Sequence, residues 1–293
     1  MWQIILRKKR RKSMLKNIFN ADDFGISRGV NAAIEKAYRD GILNSASLMV
    51  NQKYADEAVA MACKMPHLAT GLHLNLTNEK SAADPKMIPL LVDDNGKLKN
   101  GFVKLLILSF LHPHKFTRQV MIEVRAQVRK YLQTELPFCH IDGHRHVQMI
   151  PAVFKVVRKI QKEYGVPRVR VMNENLWNTI KQNRQTSYLF DGGLVKYIIL
   201  RFLCWWNGYR SDVYFYTTLF TCKISAEQFR NIRIPKGYEA IEVMIHPGMP
   251  EIDSLTPEDV WDTNILSPYR TLELETLLNK DVPNNIKVVG EDD

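Results

Sequence analysis

The strongest constraint on this chain is a regular alternation of short apolar runs with helix-like segments from one end to the other. Parallel strands need a crossover of helix length between them, so this alternation predicts a parallel α/β architecture. Asn17 to Asn20 is the first run, and Arg28 to Asp40 follows with Val30, Ala33, Ile34 and Ala37 at helical spacing before Gly41 stops it. Ser45 to Val50, Leu68 to Leu76, Phe138 to Asp142, Val169 to Met172, a segment near Tyr214, Ala240 to Ile245 and Ile286 to Val289 read as the later strands. Helices are predicted over Tyr54 to Lys64, Phe102 to Leu111, Thr117 to Thr134, Pro151 to Tyr164, Leu194 to Trp206, Ser225 to Asn231 and Ser267 to Leu278.

No internal repeat and no Pro/Gly/Ser linker divides the 293 residues. The expectation is a single-domain, distorted (β/α) barrel of about seven or eight strands, TIM-barrel-like, over residues 14–293, with a doubly wound sheet as the competing architecture. Residues 1–13 are expected to form a disordered basic extension.

Charge bears on partners. The chain carries a formal +10, but seven of those charges (Arg7, Lys8, Lys9, Arg10, Arg11, Lys12 and Lys16) precede residue 17, leaving a body near balance. A nucleic-acid surface would spread its basic residues over folded elements, so nucleic acid is not an expected partner. The apolar residues Trp2, Ile4, Ile5 and Leu6 come before the basic cluster and are too few for a signal peptide. Cys63, Cys139, Cys204 and Cys222 stand far apart and read as reduced, mostly buried thiols of a cytoplasmic protein. No segment has the roughly 18 uninterrupted apolar residues of a membrane span. Phe102 to Leu111 and Leu194 to Trp206 are nonetheless apolar, broken only by Lys104, Lys196 and Arg201, and read either as core helices or as interfacial helices beside a lipid-bearing substrate.

Polar residues gather at the predicted carboxyl ends of strands, where parallel α/β proteins carry their sites. Those ends read Asn20-Ala21-Asp22-Asp23-Phe24-Gly25, Gly71-Leu72-His73-Leu74-Asn75, His140-Ile141-Asp142-Gly143-His144-Arg145-His146 and His246-Pro247-Gly248, and hold five of the eight histidines. Imidazole and carboxylate suit a first-row divalent ion and leave positions open for water and substrate. In an extended strand, residues two apart share a face, so His140, Asp142, His144 and His146 are expected in one inward row, the spare members orienting the ligands. The Asp22-Asp23 pair divides naturally into a metal ligand and a general base, unless it is simply a turn.

The ordered strings NADDFGIS, GLHLNLT, HIDGHRHVQMIP, MIHPG and SPYRTLELETL resemble the YdjC-like carbohydrate deacetylases, the ChbG/HpnK group, from about Leu15 to Leu278. The resemblance implies a distorted barrel and a metal-dependent hydrolase that removes N-acetyl groups from amino sugars and releases acetate. One divalent metal ion, Mg2+ or Zn2+, would be held by Asp23, His73 and His144. Asp22 would be the base and His246 the acid; Arg170 is either a partner that keeps Asp22 ionised or an ordinary surface arginine. His140, Asp142, His146 and Asn75 are expected to support the ligands or contact substrate. The chain departs from the family pattern at Gln148, where many members carry a further histidine. The apolar helix and the string Ser211-Asp212-Val213-Tyr214-Phe215 resemble the HpnK-like branch, which tilts the substrate toward a lipid-linked or cell-surface glycan and suggests peripheral contact with the inner membrane face. Two other functions remain open at this level: a non-haem-iron-type oxygenase with the same His/His/Asp set, and a non-enzymatic protein that binds glycan or membrane. The sequence leaves open whether the protein is a homo-oligomer.

Overall fold

A computed structural model describes residues 17–182, 192–229, 232–254 and 263–288. The basic extension expected over residues 1–13 lies outside them. Strands β1 (Asn17–Phe24), β2 (Ser45–Leu48), β3 (Ala69–Leu74), β4 (His140–Gly143), β5 (Arg168–Val169), β6 (Val213–Tyr216) and β8 (Ala240–Ile245) make one sheet in the order β5-β4-β3-β2-β1-β8-β6. Every pairing in it is parallel. The curled sheet is the expected distorted (β/α) barrel. β7 (Arg233–Ile234), which the pattern did not predict, pairs with β9 (Lys287–Val288) in a separate two-stranded sheet, so the last predicted strand is not a barrel stave.

Helices cover the outside: α1 (Arg28–Asp40), α2 (Ala55–Ala62), α3 (Phe102–Leu111), α4 (Pro113–Leu132), α5 (Pro151–Tyr164), α6 (Leu176–Gln182), α7 (Gly193–Asn207), α8 (Ala226–Phe229), α9 (Pro250–Asp253) and α10 (Pro268–Leu278). The periodic residues of α1, Val30, Ala33, Ile34 and Ala37, form its buried stripe, and the Ser27 hydroxyl caps it by accepting from the Val30 N–H. α4 starts four residues before the expected Thr117 because Pro113 opens it, its fixed φ suited to a first helical turn. α6 was not predicted; the Asn175 side chain initiates it by accepting from the Asn178 N–H at 2.9 Å.

Between β5 and β6 a side chain does the work of a backbone ladder. Asn173, just beyond β5, donates through Nδ2 to the Val213 carbonyl (2.9 Å) and accepts at Oδ1 from the Phe215 N–H (2.8 Å). It thereby satisfies edge groups of β6 that would otherwise lack partners.

Inside the barrel, Arg170 joins three strands. Its Nη1 and Nη2 donate to the Asp22 carboxylate of β1 at 2.6 and 2.8 Å, Nη2 also lies 2.7 Å from Asp142 of β4, and Nε donates to Glu242 of β8 at 2.7 Å. Arg168 adds a second pairing to Glu242. Arg170 is 1% exposed, so it is no surface arginine. Two further expectations are corrected. β4 ends at Gly143, and Arg145 and His146 take left-handed backbone (φ 53° and 59°), which breaks the predicted inward row after Asp142. Only Cys204 of the four free cysteines is buried, and Cys63 is exposed.

Replacing Arg170 with Met would leave three buried carboxylates without their common cation. The expected loss is about 3–5 kcal/mol of unfolding free energy, measured by urea denaturation. A variant as stable as the parent would show that the pairing is dispensable to the fold.

Candidate active site

The carboxyl ends of β1, β3, β4 and β8 open into a groove of about 930 Å³, lined among others by Asp22, Asp23, His73, His144, His246 and Arg270. β1 delivers two adjacent carboxylates to it by an irregularity. Neighbours in a regular strand face opposite sides, but the pairing of β1 with β2 shifts register between Ala21 and Phe24, and Asp23 adopts φ 67°. Asp tolerates this left-handed conformation better than most residues with a β-carbon.

Asp23 Oδ1 lies 2.8 Å from His144 Nδ1 and 3.5 Å from His73 Nε2, while its Oδ2 accepts from Arg270 Nη2 at 2.8 Å. Burial works against charge on Asp23, yet His144, His73 and Arg270 hold its carboxyl well below the ordinary range. The other face of His73 is fixed by Asp142, whose Oδ1 lies 2.8 Å from Nδ1. Burial opposes the charged imidazole of His73, but Asp142 and Asp22 outweigh it and push its pKa up to about 10. In His144 burial prevails and lowers the pKa.

Asp23, His73 and His144 each offer one ligand atom, all within 4.8 Å of one another. Asp22, His73 and Asp142 meet the same distance test, but Arg170 already neutralises both of those carboxylates. The first set fits a divalent cation: one carboxylate, two imidazoles, and a carboxylate behind His73 that fixes its tautomer and aims Nε2 at Asp23.

His246, at the end of β8, places Nε2 4.0 Å from Asp22 Oδ2. Behind it stands Glu273 of α10, which accepts from the His246 N–H at 2.6 Å and lies 3.7 Å from Nδ1. Burial disfavours the imidazolium of His246, but Cys222 and Glu273 outweigh it and raise the pKa well above the ordinary value.

The remaining expected residues divide. His140 lies in the barrel interior, its ring so close to Gly71 that a β-carbon there would fall 2.5 Å from it. Its Nε2 is 2.9 Å from Ser47 Oγ, whose single proton goes to Asp142 at 2.7 Å, so His140 carries its proton on Nε2 and acts as a donor. Burial, with Arg168 adding to it, lowers its pKa to about 3. His146 lines the groove, and Gln148 is buried with its side chain beside Gly143. Asn75 is not brought to the site. Its side chain holds the loop after β3, donating to the Asn78 carbonyl at 2.8 Å and accepting from the Thr77 N–H at 3.0 Å.

Sequence reasoning gave no role to Arg270 and Glu273, which α10 sends into the site one turn apart. Their signal lay in the closing string SPYRTLELETL, where two charged residues share the buried face with Leu274 and Leu277.

Comparison with known proteins agrees with this architecture. A carbohydrate deacetylase of Brevibacillus brevis is 31% identical over 264 residues, spanning 90% of this chain and 91% of that protein. One of Clostridium beijerinckii is 28% identical over 271 residues, 92% and 93% of the two chains. A crystal structure from Enterococcus faecalis V583, of a candidate cellobiose-phosphate cleavage protein, superposes with a TM-score of 0.59 at 23% identity, covering 93% of this chain and 94% of that one, and so shares the fold. The family described as YdjC-like protein matches residues 16–287. With that match over nearly its whole length, the chain belongs to the YdjC-like family.

Proposed function

We propose that this protein is a metal-dependent carbohydrate deacetylase of the cytoplasm that hydrolyses the N-acetyl group of an acetylated amino sugar, in an oligosaccharide or a cell-surface glycan, to a free amine and acetate. The observation that carries the reading is the meeting of the Asp23, His73 and His144 ligand set with Asp22 and His246 at the mouth of one groove. The deacetylase names of the full-length relatives support it.

Asp23, His73 and His144 would hold one divalent ion, Mg2+ or Zn2+. Such an ion polarises the amide carbonyl and lowers the pKa of a water beside it. Asp22, held by both arms of Arg170 and by a hydrogen bond from Asn20 Nδ2 at 2.8 Å, takes the proton of the attacking water. Because Arg170 fixes both carboxylate oxygens, the base needs no reorientation as the proton moves. The new carbon–oxygen bond forms at the acetyl carbon, and the carbon–nitrogen bond breaks only as the poor amine leaving group gains a proton. His246 donates that proton, and Glu273 behind it favours the protonated ring before the step.

Acetate release from N-acetylglucosamine oligosaccharides should vanish with a chelator and return on adding Mg2+ or Zn2+. Asp22→Asn and His246→Asn should each lower kcat about 10²–10⁴-fold. Undiminished turnover after rigorous metal removal would overturn the reading, and an absolute requirement for oxygen would favour iron oxygenase chemistry instead.

The acid role also fixes the sign of the pH response. His246 must be protonated to donate, its pKa is raised, and the proton is therefore present below that pKa and lost as pH rises through it. kcat/KM should hold through the region near the ordinary imidazole value of about 6.5 and fall on the alkaline side of it. In His246→Asn that alkaline limb should disappear.

Asp142→Asn should weaken divalent-ion affinity about 10–100-fold by calorimetric titration, because it unpins His73. Unchanged affinity in a folded variant would remove Asp142 from that role.

A further inference from the structure

Two neighbouring helices turn apolar faces to solvent. On α3, Val103, Ile107 and Phe110 are exposed; on α7, Ile198, Phe202, Trp205 and Trp206 are, with Trp205 at 75% and Phe110 at 60%. The two faces form one surface, since the Phe110 ring lies 6.4 Å from that of Trp206, which is 5.6 Å from Phe202. A contiguous patch of large apolar side chains marks a binding face, whereas scattered single residues would not.

Cations outnumber acids around it: Asp212 shares a hollow with Trp205, but so do Arg201, Arg210 and Lys236. Neither α3 nor α7 contains an acidic residue, Lys104 is exposed within α3, and Lys115 and Arg118 are exposed where α4 begins. Lys155 of α5 borders the junction where Phe110 and Trp206 meet. Tryptophan and aliphatic side chains edged by cations match a bilayer leaflet with anionic head groups, where rings settle at the interface and lysines meet phosphates. A second copy of the chain docked through the same patch about a two-fold axis would set this cationic rim against itself.

The same helices wall the catalytic groove. Phe102 of α3 and Val195 and Ile199 of α7 line it together with Asp22, Asp23 and His246. The two helices thus carry apolar side chains both on the exposed face and into the groove.

We infer that the α3–α7 face docks this protein on an anionic membrane leaflet, and that the acetylated amino sugar entering the groove is carried on a membrane lipid. The sugar half of this inference rests on the deacetylase reading; the docking half does not. The leaflet would meet the groove mouth, the sugar would reach Asp22 and the Asp23 ligand set, and the lipid chain would remain along Phe102, Val195 and Ile199.

The test is sedimentation of the full-length protein with vesicles of phosphatidylcholine containing about 30% phosphatidylglycerol, beside the double variant Ile198→Ser, Trp205→Ser. Both side chains are exposed and neither lines the groove. The parent should sediment with the vesicles and the variant should bind about tenfold more weakly or worse. Both should release acetate equally from a soluble N-acetylated oligosaccharide, while only the parent should act efficiently on an N-acetylated glycolipid in the vesicles. Failure of the parent to bind would overturn the inference. So would equal binding by the variant, which would assign the membrane contact to the basic amino-terminal residues, or a parent dimer that the variant dissociates in analytical ultracentrifugation. Vesicle binding without acetate release from either substrate would sustain the docking face and defeat the deacetylase reading, so the two fail separately.

Discussion

The barrel interior is organised around one buried guanidinium. Asp22, Asp142 and Glu242 come from three strands, β1, β4 and β8, and each is almost wholly removed from water. A lone carboxylate there would cost several kcal/mol, and three together would repel one another. Arg170 meets all three at 2.6–2.8 Å through the separate nitrogens of its planar fork, which a lysine's compact ammonium would not reproduce. The consequence reaches past stability. Asp142 is also the partner of His73, and Asp22 stands 4.0 Å from His246, so the cation that ties the staves together also fixes two groups that border the reacting position.

Some of this was legible in the sequence for a simple reason: periodicity and strand ends are local. The stripe of α1 and the apolar runs of β2, β3 and β8 announce their faces without knowledge of their neighbours, and parallel topology then brings their carboxyl ends together. What escaped depends on long-range pairing or on departures from the period. Alternation placed His144 and His146 in line with His140, but β4 ends at Gly143 and the left-handed backbone at Arg145 and His146 breaks the alternation. Asn75, two residues past His73, shares its apparent parity but lies beyond the end of β3, where its amide is consumed by the loop it closes. Asn173, Arg270 and Glu273 look like ordinary polar residues until the chain folds. Their partners lie 40 residues away for Asn173 with Val213, 247 for Arg270 with Asp23 and 27 for Glu273 with His246.

Charge followed the same logic. The total of +10 describes the amino-terminal residues more than the barrel, and the cations that bear on surface chemistry are the few around α3 and α7. The composition of those helices does not say whether they face the core or solvent. Only packing separates the buried positions Leu105, Leu200 and Leu203 from the exposed Phe110, Phe202 and Trp205 on the same two helices.

The division of labour proposed for Asp22 and Asp23 follows from one extra residue. In an unbroken strand the two carboxylates would face opposite sides of the sheet, one inward and one toward the helices. The register shift after Ala21 and the left-handed φ of Asp23 turn the second carboxylate back into the groove. A non-glycine residue holds such a conformation only where its surroundings over-determine it. Here they do: Ile26 N–H donates to the Asp23 carbonyl at 3.0 Å, Asn31 Oδ1 accepts from Gly25 at 2.8 Å, and Arg270 grips the Asp23 carboxylate from α10. Two chemically identical neighbours thereby acquire different surroundings. Asp22 has both carboxylate oxygens held by Arg170, whereas Asp23 gives one oxygen to Arg270 and turns the other toward two imidazoles with a geometry open to a metal ion. In the proposed mechanism the bulge therefore lets adjacent aspartates serve as base and ligand without competing for the same partner.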